Sequence, residues 1–137
     1  SNNFEVLQGR LIGTVSKMAI ELKKIPLVEI DSDGVFKYIL IIVHGPEVDG
    51  VEDNITILRG YERCTWHADI LEEVEAKLDP LDCECIGGGR INHNAAEKKL
   101  HVYGYSQAYG KANHEKSAQL LKKFYKDYTI SISDEGY

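Results

Sequence analysis

The chain has 137 residues, of which 43% are hydrophobic and 28% are charged, a composition typical of one soluble globular domain. No stretch approaches the roughly 18 consecutive apolar residues that a membrane-spanning helix needs. With 22 acidic against 16 basic side chains the formal net charge is -6, so no overall positive field attracts phosphate backbones. Composition therefore predicts a single domain whose partners are neither membranes nor nucleic acids.

The cysteines bear on both location and metal binding. Cys64, Cys83 and Cys85 are too few, and odd in number, for a secreted scaffold held by disulfides, so we expect a reducing, cytoplasmic location. Cys83 and Cys85 share one face of a predicted strand, but zinc would need two further ligands and no recognised spacing supplies them. We predict buried thiols, no metal and no other cofactor.

The first 24 residues are predicted to form an N-terminal arm, separate from a domain that spans residues 25–137. The basic, acid-poor composition of residues 10–24 mildly resembles a transit peptide. A flexible arm and a processed targeting segment are therefore both open interpretations.

Extended and helical patterns alternate from residue 25 onward. The six predicted strands cover residues 27–30, 35–43, 55–61, 83–91, 98–105 and 128–132. The turn residues Asp31 to Gly34 should join the first two strands as a hairpin, and residues 44–54 are predicted to be a surface loop. The predicted fold class is α+β: a single domain with a mixed sheet of about six strands flanked by two helices.

The two helices have recognisable ends. The first is predicted over residues 66–79, with Thr65 as its N-cap and Pro80 ending it. The second should begin after Asn113, with Leu121 and Phe124 facing the core.

His67 is the first candidate for proton transfer, because it lies in the first turn of a predicted helix. There the helix dipole disfavours the imidazolium ion and keeps a neutral base available near pH 7. The same helix end attracts anions. The alternative is a polar residue that merely begins a helix.

Two glycine-containing segments are candidates for binding an anion. Gly87–Arg90 matches neither the P-loop nor the dinucleotide fingerprint, so we favour a bulged or closely approached strand, with Arg90 able to clamp a phosphate from the strand end. Tyr105–Gly110 links a strand to a helix, and its backbone amides and the Ser106 hydroxyl could cradle an anion. Motifs for serine hydrolases, zinc proteases and cysteine phosphatases are absent from the sequence.

Several segments, in order, resemble the Janus/Ocnus family, which includes protein histidine phosphatases. The segments are Asp31–Tyr38, Arg59–Tyr61, His67–Ile70, Cys83–Ile91, His101–Ser106 and the closing Asp134–Tyr137. The resemblance runs from about residue 25 to residue 137 and leaves only the arm uncovered.

The resemblance implies a monomeric α+β domain that removes phosphate from phosphohistidine-containing proteins without a metal. By the same resemblance, the catalytic histidine falls on His67 and the lysine beside the phosphate on Lys37. Phosphate-pocket positions of the family fall on Arg59, Ala68, Arg90, Ser106 and Ala108, the two alanines acting through their backbone amides. This chain departs from the family pattern at Trp66 and Gln107, which puts its choice of substrate in question.

Three questions stay open: the role of His67, the role of Lys37 and the function of the protein. His67 could act as a general base or as a transient nucleophile. Lys37 could instead be an edge-strand lysine that prevents aggregation. At the level of function, insect members of the family are associated with sexual differentiation, so a non-catalytic, phosphate-recognising regulatory protein is one alternative. A broader hydrolase of phospholysine and small phosphoramidates is the other.

Overall fold

The computed structural model describes residues 22–134 and residue 136. The predicted N-terminal arm therefore lies outside the described residues, apart from residues 22–24, which are helical. The elements, in chain order, are β1 (Val28–Ile30), β2 (Gly34–Val48), β3 (Val51–Gly60), α1 (His67–Leu78), β4 (Asp82–Asn94), β5 (Lys99–Tyr103), α2 (His114–Phe124) and β6 (Thr129–Ile132). Within this described part, no helix combines the length and the apolar character needed to cross a membrane.

All six strands form one mixed sheet in the order β1-β3-β2-β4-β5-β6. The two outer pairs, β1 with β3 and β5 with β6, are parallel, whereas the three inner pairs are antiparallel. The predicted α+β class and mixed six-stranded sheet are thus confirmed. As predicted, the apolar strand β2 lies inside the sheet, paired on both edges.

The two helices cover opposite faces of the sheet. Side chains of a strand alternate between faces, so Leu40 of β2 packs in one cluster with Leu121 of α2, and Ile41 packs in the other with Ile70 of α1. All four side chains are fully buried. Burying a side chain of this size contributes roughly 1.5–3 kcal/mol each, so both clusters hold the helices firmly on the sheet.

Two predictions about strand pairing are wrong. The turn before β2 forms, with Gly34 at φ +101°, but β1 pairs in parallel with β3 rather than as a hairpin with β2. The reason is that β3 already occupies that edge of β2. Residues 44–54 are not a loop either, because β2 and β3 continue as an antiparallel ribbon to a turn at Asp49 and Gly50, both at positive φ.

The helix ends differ from prediction in detail. The N-cap of α1 is Trp66 instead of Thr65, and its backbone amide donates to the Asp69 carboxylate at 2.9 Å. The predicted cap of α2 is confirmed, since the Asn113 side chain accepts from the backbone amide of the third helical residue at 3.1 Å. Phe124, however, is 55% exposed, because Leu120 and Leu121 supply the buried face of α2.

His44 links three strands. Its Nδ1 contacts the Glu52 carboxylate of β3, and its Nε2 lies 3.1 Å from a carboxylate oxygen of Glu84 on β4. Hydrogen bonds to Glu84 and then Glu52 raise the pKa of His44 above its ordinary value. Because the folded pKa lies above the unfolded one, this contribution to stability is complete below about pH 6.5 and is lost as pH rises through the folded pKa.

We therefore expect His44→Gln to flatten the decrease in the free energy of unfolding as pH rises above about 6.5. Urea unfolding at several pH values measures this. The matched control is His101→Gln, which removes a histidine whose partner is the Ser131 hydroxyl rather than a carboxylate. An unchanged pH dependence in folded His44→Gln would show that the cross-strand contacts do not carry the effect.

Candidate functional site

A cavity of about 500 Å³ opens where the start of α1 meets β2, β4 and the loop between β5 and α2. Its lining residues are Lys37, Trp66, His67, Ala68, Arg90, Tyr105, Ser106, Gln107 and Ala108. Lys37 and Arg90 are direct partners across the antiparallel pair β2 and β4, so the two cations face the same side of the sheet. The sheet register thus brings together residues that are far apart in the sequence.

Six of the seven residues predicted for the site line this cavity, and Arg59 does not. Arg59 lies on β3, one strand beyond β2, and lines a separate cavity with the C-terminal half of α1. Its guanidinium donates to the carbonyls of Leu58 at 3.0 Å and Pro26 at 2.7 Å. Burial lowers the pKa of Arg59. Arg59 therefore holds the chain at Pro26, and it lies in a different cavity from the other predicted site residues.

His67 is 8% exposed, and its Nε2 donates to the Gly89 carbonyl at 2.9 Å. A carbonyl oxygen only accepts, so Nε2 carries the proton of the neutral ring and Nδ1 keeps the lone pair. Burial lowers the pKa of His67, and the nearby charges of Lys37 and Arg90 lower it further against the opposing effect of the Gly89 hydrogen bond. The ring is thus held as a neutral base of defined tautomer near pH 7.

The glycine run of β4 makes room for this histidine. A Cβ atom added at Gly88 would lie 2.8 Å from Cδ2 of His67, 2.8 Å from the Tyr38 carbonyl oxygen and 3.1 Å from Cβ of Ser106. The register between β2 and β4 also shifts beside Gly87. The predicted bulged and closely approached strand is confirmed, and its close neighbour is the candidate base.

We expect Gly88→Ala to push the His67 ring away from the Gly89 carbonyl, because the three contacting groups include backbone and a buried ring. Overpacking of this kind typically costs about 1–3 kcal/mol. The measurements are the NMR titration of the His67 imidazole and the free energy of unfolding. Gly50→Ala is the control. It also strains the backbone, because Gly50 has φ +77°, but its added methyl group would meet no atom within 4 Å. A wild-type titration of His67 in Gly88→Ala would refute the steric argument.

The loop between β5 and α2 presents hydrogen-bond donors to the cavity. Ser106 and Gly110 exchange two backbone hydrogen bonds, of 3.2 and 2.8 Å, and the Ser106 hydroxyl oxygen accepts from the Tyr109 amide at 3.1 Å. The amides of Gln107 and Ala108 have no acceptor within residues 22–134 and 136. A fixed loop with unused amides and a hydroxyl proton is suited to bind an anion.

The start of α1 adds to this environment. Ala68 is the second residue of the helix, where a backbone amide has no acceptor inside the helix. Lys37 forms no ion pair with any side chain in the described part of the chain, and its Nζ lies 6.0 Å from the Trp66 ring centroid. The cavity therefore offers Lys37, Arg90, loop amides and a helix N-terminus to one ligand.

A buried network behind the cavity was missed by sequence reasoning. His114 donates from Nε2 to the Gly104 carbonyl at 2.8 Å and accepts at Nδ1 from the Tyr38 hydroxyl at 2.6 Å. Gly104 immediately precedes the cavity loop, so this network anchors that loop to β2. Tyr38 carried a usable signal, because a tyrosine within an apolar buried strand requires a partner for its hydroxyl.

Among residues 22–134 and 136, no group of three or more His, Cys, Asp or Glu side chains is placed to hold a metal ion. Cys83 and Cys85 pack against the cluster beneath α1, and burial raises the pKa of both thiols. Raised thiol pKa values disfavour the thiolate form that binds metals and attacks phosphorus.

Fold and cavity together define a small α+β protein with a cationic, amide-lined cavity beside a neutral histidine. The family model for the Janus/Ocnus family matches residues 22–129, and the chain belongs to this family. The resemblance noted from the sequence is thereby confirmed.

Individual relatives carry two different names. The sex-regulated protein janus-A of Drosophila pseudoobscura pseudoobscura is 51% identical over 139 aligned positions, which cover 98% of this chain and 92% of that protein. The 14 kDa phosphohistidine phosphatase of Sus scrofa is 47% identical over 123 positions, which cover 87% of this chain and 98% of that protein. The janus-A protein of Drosophila simulans is 49% identical over 141 positions, covering 99% of each.

Proposed function

We propose that this protein is a protein histidine phosphatase that hydrolyses the P–N bond of phosphohistidine without a metal. The observation that carries the proposal is the state of the His67 imidazole in the cationic cavity. Its Nε2–H donates a hydrogen bond to the Gly89 carbonyl, so its Nδ1 keeps the lone pair and can act as a base. The name of the Sus scrofa relative supports the choice of substrate. We also propose that the protein acts as a monomer in the cytoplasm on phosphohistidine-containing proteins.

In this proposal the cavity holds the phosphoryl group by its oxygens. Lys37 and Arg90 neutralise charge, and the Ser106 hydroxyl with the amides of Ala68 and Ala108 supplies directed donors. Phosphoryl transfer needs little covalent help from the protein, so positioning and charge neutralisation account for most of the catalysis.

The chemical step is attack on phosphorus by water in line with the P–N bond. The new P–O bond forms as the P–N bond breaks, Nδ1 of His67 takes a proton from the water, and the leaving imidazole nitrogen, labile once protonated, departs as neutral imidazole. The competing route is attack by Nδ1 itself, which would form a phosphoryl-His67 intermediate that water then hydrolyses. Both routes require the same free nitrogen.

The proposal is tested by phosphate release from a phosphohistidine protein, a phospholysine peptide and a phosphotyrosine peptide, compared on one preparation treated with chelator. We expect turnover of the P–N substrates and none of phosphotyrosine, because among the described residues no Asp or Glu lines the cavity to protonate a phenolate leaving group. Preferred hydrolysis of phosphotyrosine, or activity that returns only with added metal, would contradict the proposal.

A second candidate function is a phosphate-recognising regulatory protein that does not turn substrate over. This candidate is kept because several relatives are named sex-regulated protein janus-A, a name that states no catalytic activity. It predicts saturable binding of a phosphohistidine peptide with no release of phosphate. A broader phosphoramidate hydrolase is the third reading, and the phospholysine arm of the same assay measures it.

Catalysis by a neutral histidine has a defined pH dependence. Because burial lowers the pKa of His67, we expect kcat/KM to stay high on acidification until a pH below the ordinary histidine value of about 6.5, and then to fall as the ring gains a proton. Initial rates from pH 5 to pH 9, corrected for spontaneous hydrolysis, give this profile. An acid limb centred above the ordinary value would contradict the assignment.

A further inference from the structure

Trp66 is a large aromatic residue that lines the cavity and is mostly exposed. Its exposed fraction is 66%, and Tyr105, which lines the same cavity, is 43% exposed. Exposed aromatic side chains gathered at one cavity mark a surface that contacts a ligand.

The indole is not required by the fold. The start of α1 uses only the backbone of Trp66, whose amide donates to the Asp69 carboxylate at 2.9 Å and whose carbonyl accepts from the Asp69 amide at 3.1 Å. Replacing the side chain therefore leaves both hydrogen bonds available.

The indole lies beside Lys37, the cation proposed to bind the phosphoryl group. Lys37 Nζ is 6.0 Å from the Trp66 ring centroid, at the outer limit of a cation–π contact. In the proposed complex, a phosphoryl group bound by Lys37 is therefore held beside the indole.

We propose that Trp66 is a specificity-determining residue whose indole packs on the imidazole ring of the phosphohistidine leaving group, with Tyr105 beside it. This inference rests on the proposed phosphatase function. The imidazole becomes positively charged when it is protonated for departure, and an indole face attracts a cation more strongly than a neutral ring. The contact therefore favours the protonated form of the substrate, which is the form whose P–N bond breaks, and this raises kcat as well as binding.

The test compares two P–N substrates that differ in the leaving group: a phosphohistidine peptide, which has a ring, and phosphoramidate, which has none. We expect Trp66→Leu to lower the ratio of kcat/KM for the peptide to kcat/KM for phosphoramidate about five- to tenfold, and Trp66→Phe to keep most of it. Phe124→Leu, which removes another exposed aromatic side chain that does not line the cavity, is the control and should leave the ratio unchanged.

A second measurement does not depend on turnover. Trp66 is the single tryptophan of the sequence, so intrinsic fluorescence reports on this ring alone. In the His67→Ala variant we expect a phosphohistidine peptide to change the fluorescence saturably, and phosphoramidate to change it much less.

The outcomes separate the two proposals. Equal losses on both substrates, or no loss on either, together with no selective fluorescence change, would overturn the role of Trp66 while leaving the phosphatase standing. A wild-type protein that hydrolyses neither substrate but shows the selective fluorescence change would overturn the phosphatase and retain a phosphohistidine-binding tryptophan.

Discussion

Replacing His67 with alanine is expected to lower kcat for a phosphohistidine substrate at least about 10²–10⁴-fold, the usual contribution of a general base. The imidazole supplies the cavity with a neutral nitrogen whose tautomer is fixed by the 2.9 Å hydrogen bond to Gly89, and alanine supplies nothing in its place. Single-turnover phosphate release measures the loss. A larger loss is expected if His67 is the nucleophile.

His67→Gln is the matched variant, because an amide can still donate to the Gly89 carbonyl but cannot take a proton at neutral pH. It should fold like the wild type and be as inactive as the alanine variant. A folded protein that keeps most of its activity with either substitution would overturn the assignment. To decide between the two routes, labelled substrate is mixed with enzyme and quenched in alkali, since acid labilises the P–N bond. A labelled phosphoenzyme that is absent from His67→Ala would favour the covalent route.

The elements that local chemistry controls were predictable from the sequence. The uninterrupted apolar run of β2 predicted a strand inside the sheet, and Asn113 predicted the start of α2, because both signals lie within a few residues. Strand pairing is a non-local property, so the parallel placement of β1 beside β3 carried no local signal. The ribbon beyond His44 was missed because its exposed, polar strands lack the apolar alternation that marks a half-buried strand.

The same distinction applies to the candidate site. The position of His67 at a helix start was readable from the sequence, but its tautomer depends on the Gly89 carbonyl, 22 residues further along the chain. The glycines of β4 could be recognised as a place of close approach, yet only the structure identifies His67 as the approaching group. Arg59 is the opposite case. The family resemblance assigned it to the phosphate pocket, whereas the strand order puts its guanidinium in another cavity.

Lys37→Ala is expected to lower kcat/KM for a phosphohistidine substrate by the equivalent of about 2–5 kcal/mol, because the variant leaves phosphoryl charge without its partner in a partly desolvated cavity. Lys37→Arg should restore only part of the activity, since a planar guanidinium does not replace a compact ammonium at a tight site. Steady-state kinetics of the three proteins measure this. Activity of Lys37→Ala equal to that of the wild type would show that Lys37 does not bind the phosphoryl group; the edge-strand role does not apply to it, because β2 is paired on both edges.

Arg59→Met provides the matched comparison for the removal of a cation. It leaves the carbonyls of Leu58 and Pro26 without their donors, so we expect a loss of about 1–3 kcal/mol in the free energy of unfolding. The kcat/KM of the folded variant should stay close to that of the wild type, because Arg59 lines a different cavity from His67. Urea unfolding and kinetics at a temperature where each variant is folded separate the two effects. If Arg59→Met instead lost as much kcat/KM as Lys37→Ala at unchanged stability, the phosphate site would have to include Arg59 on β3.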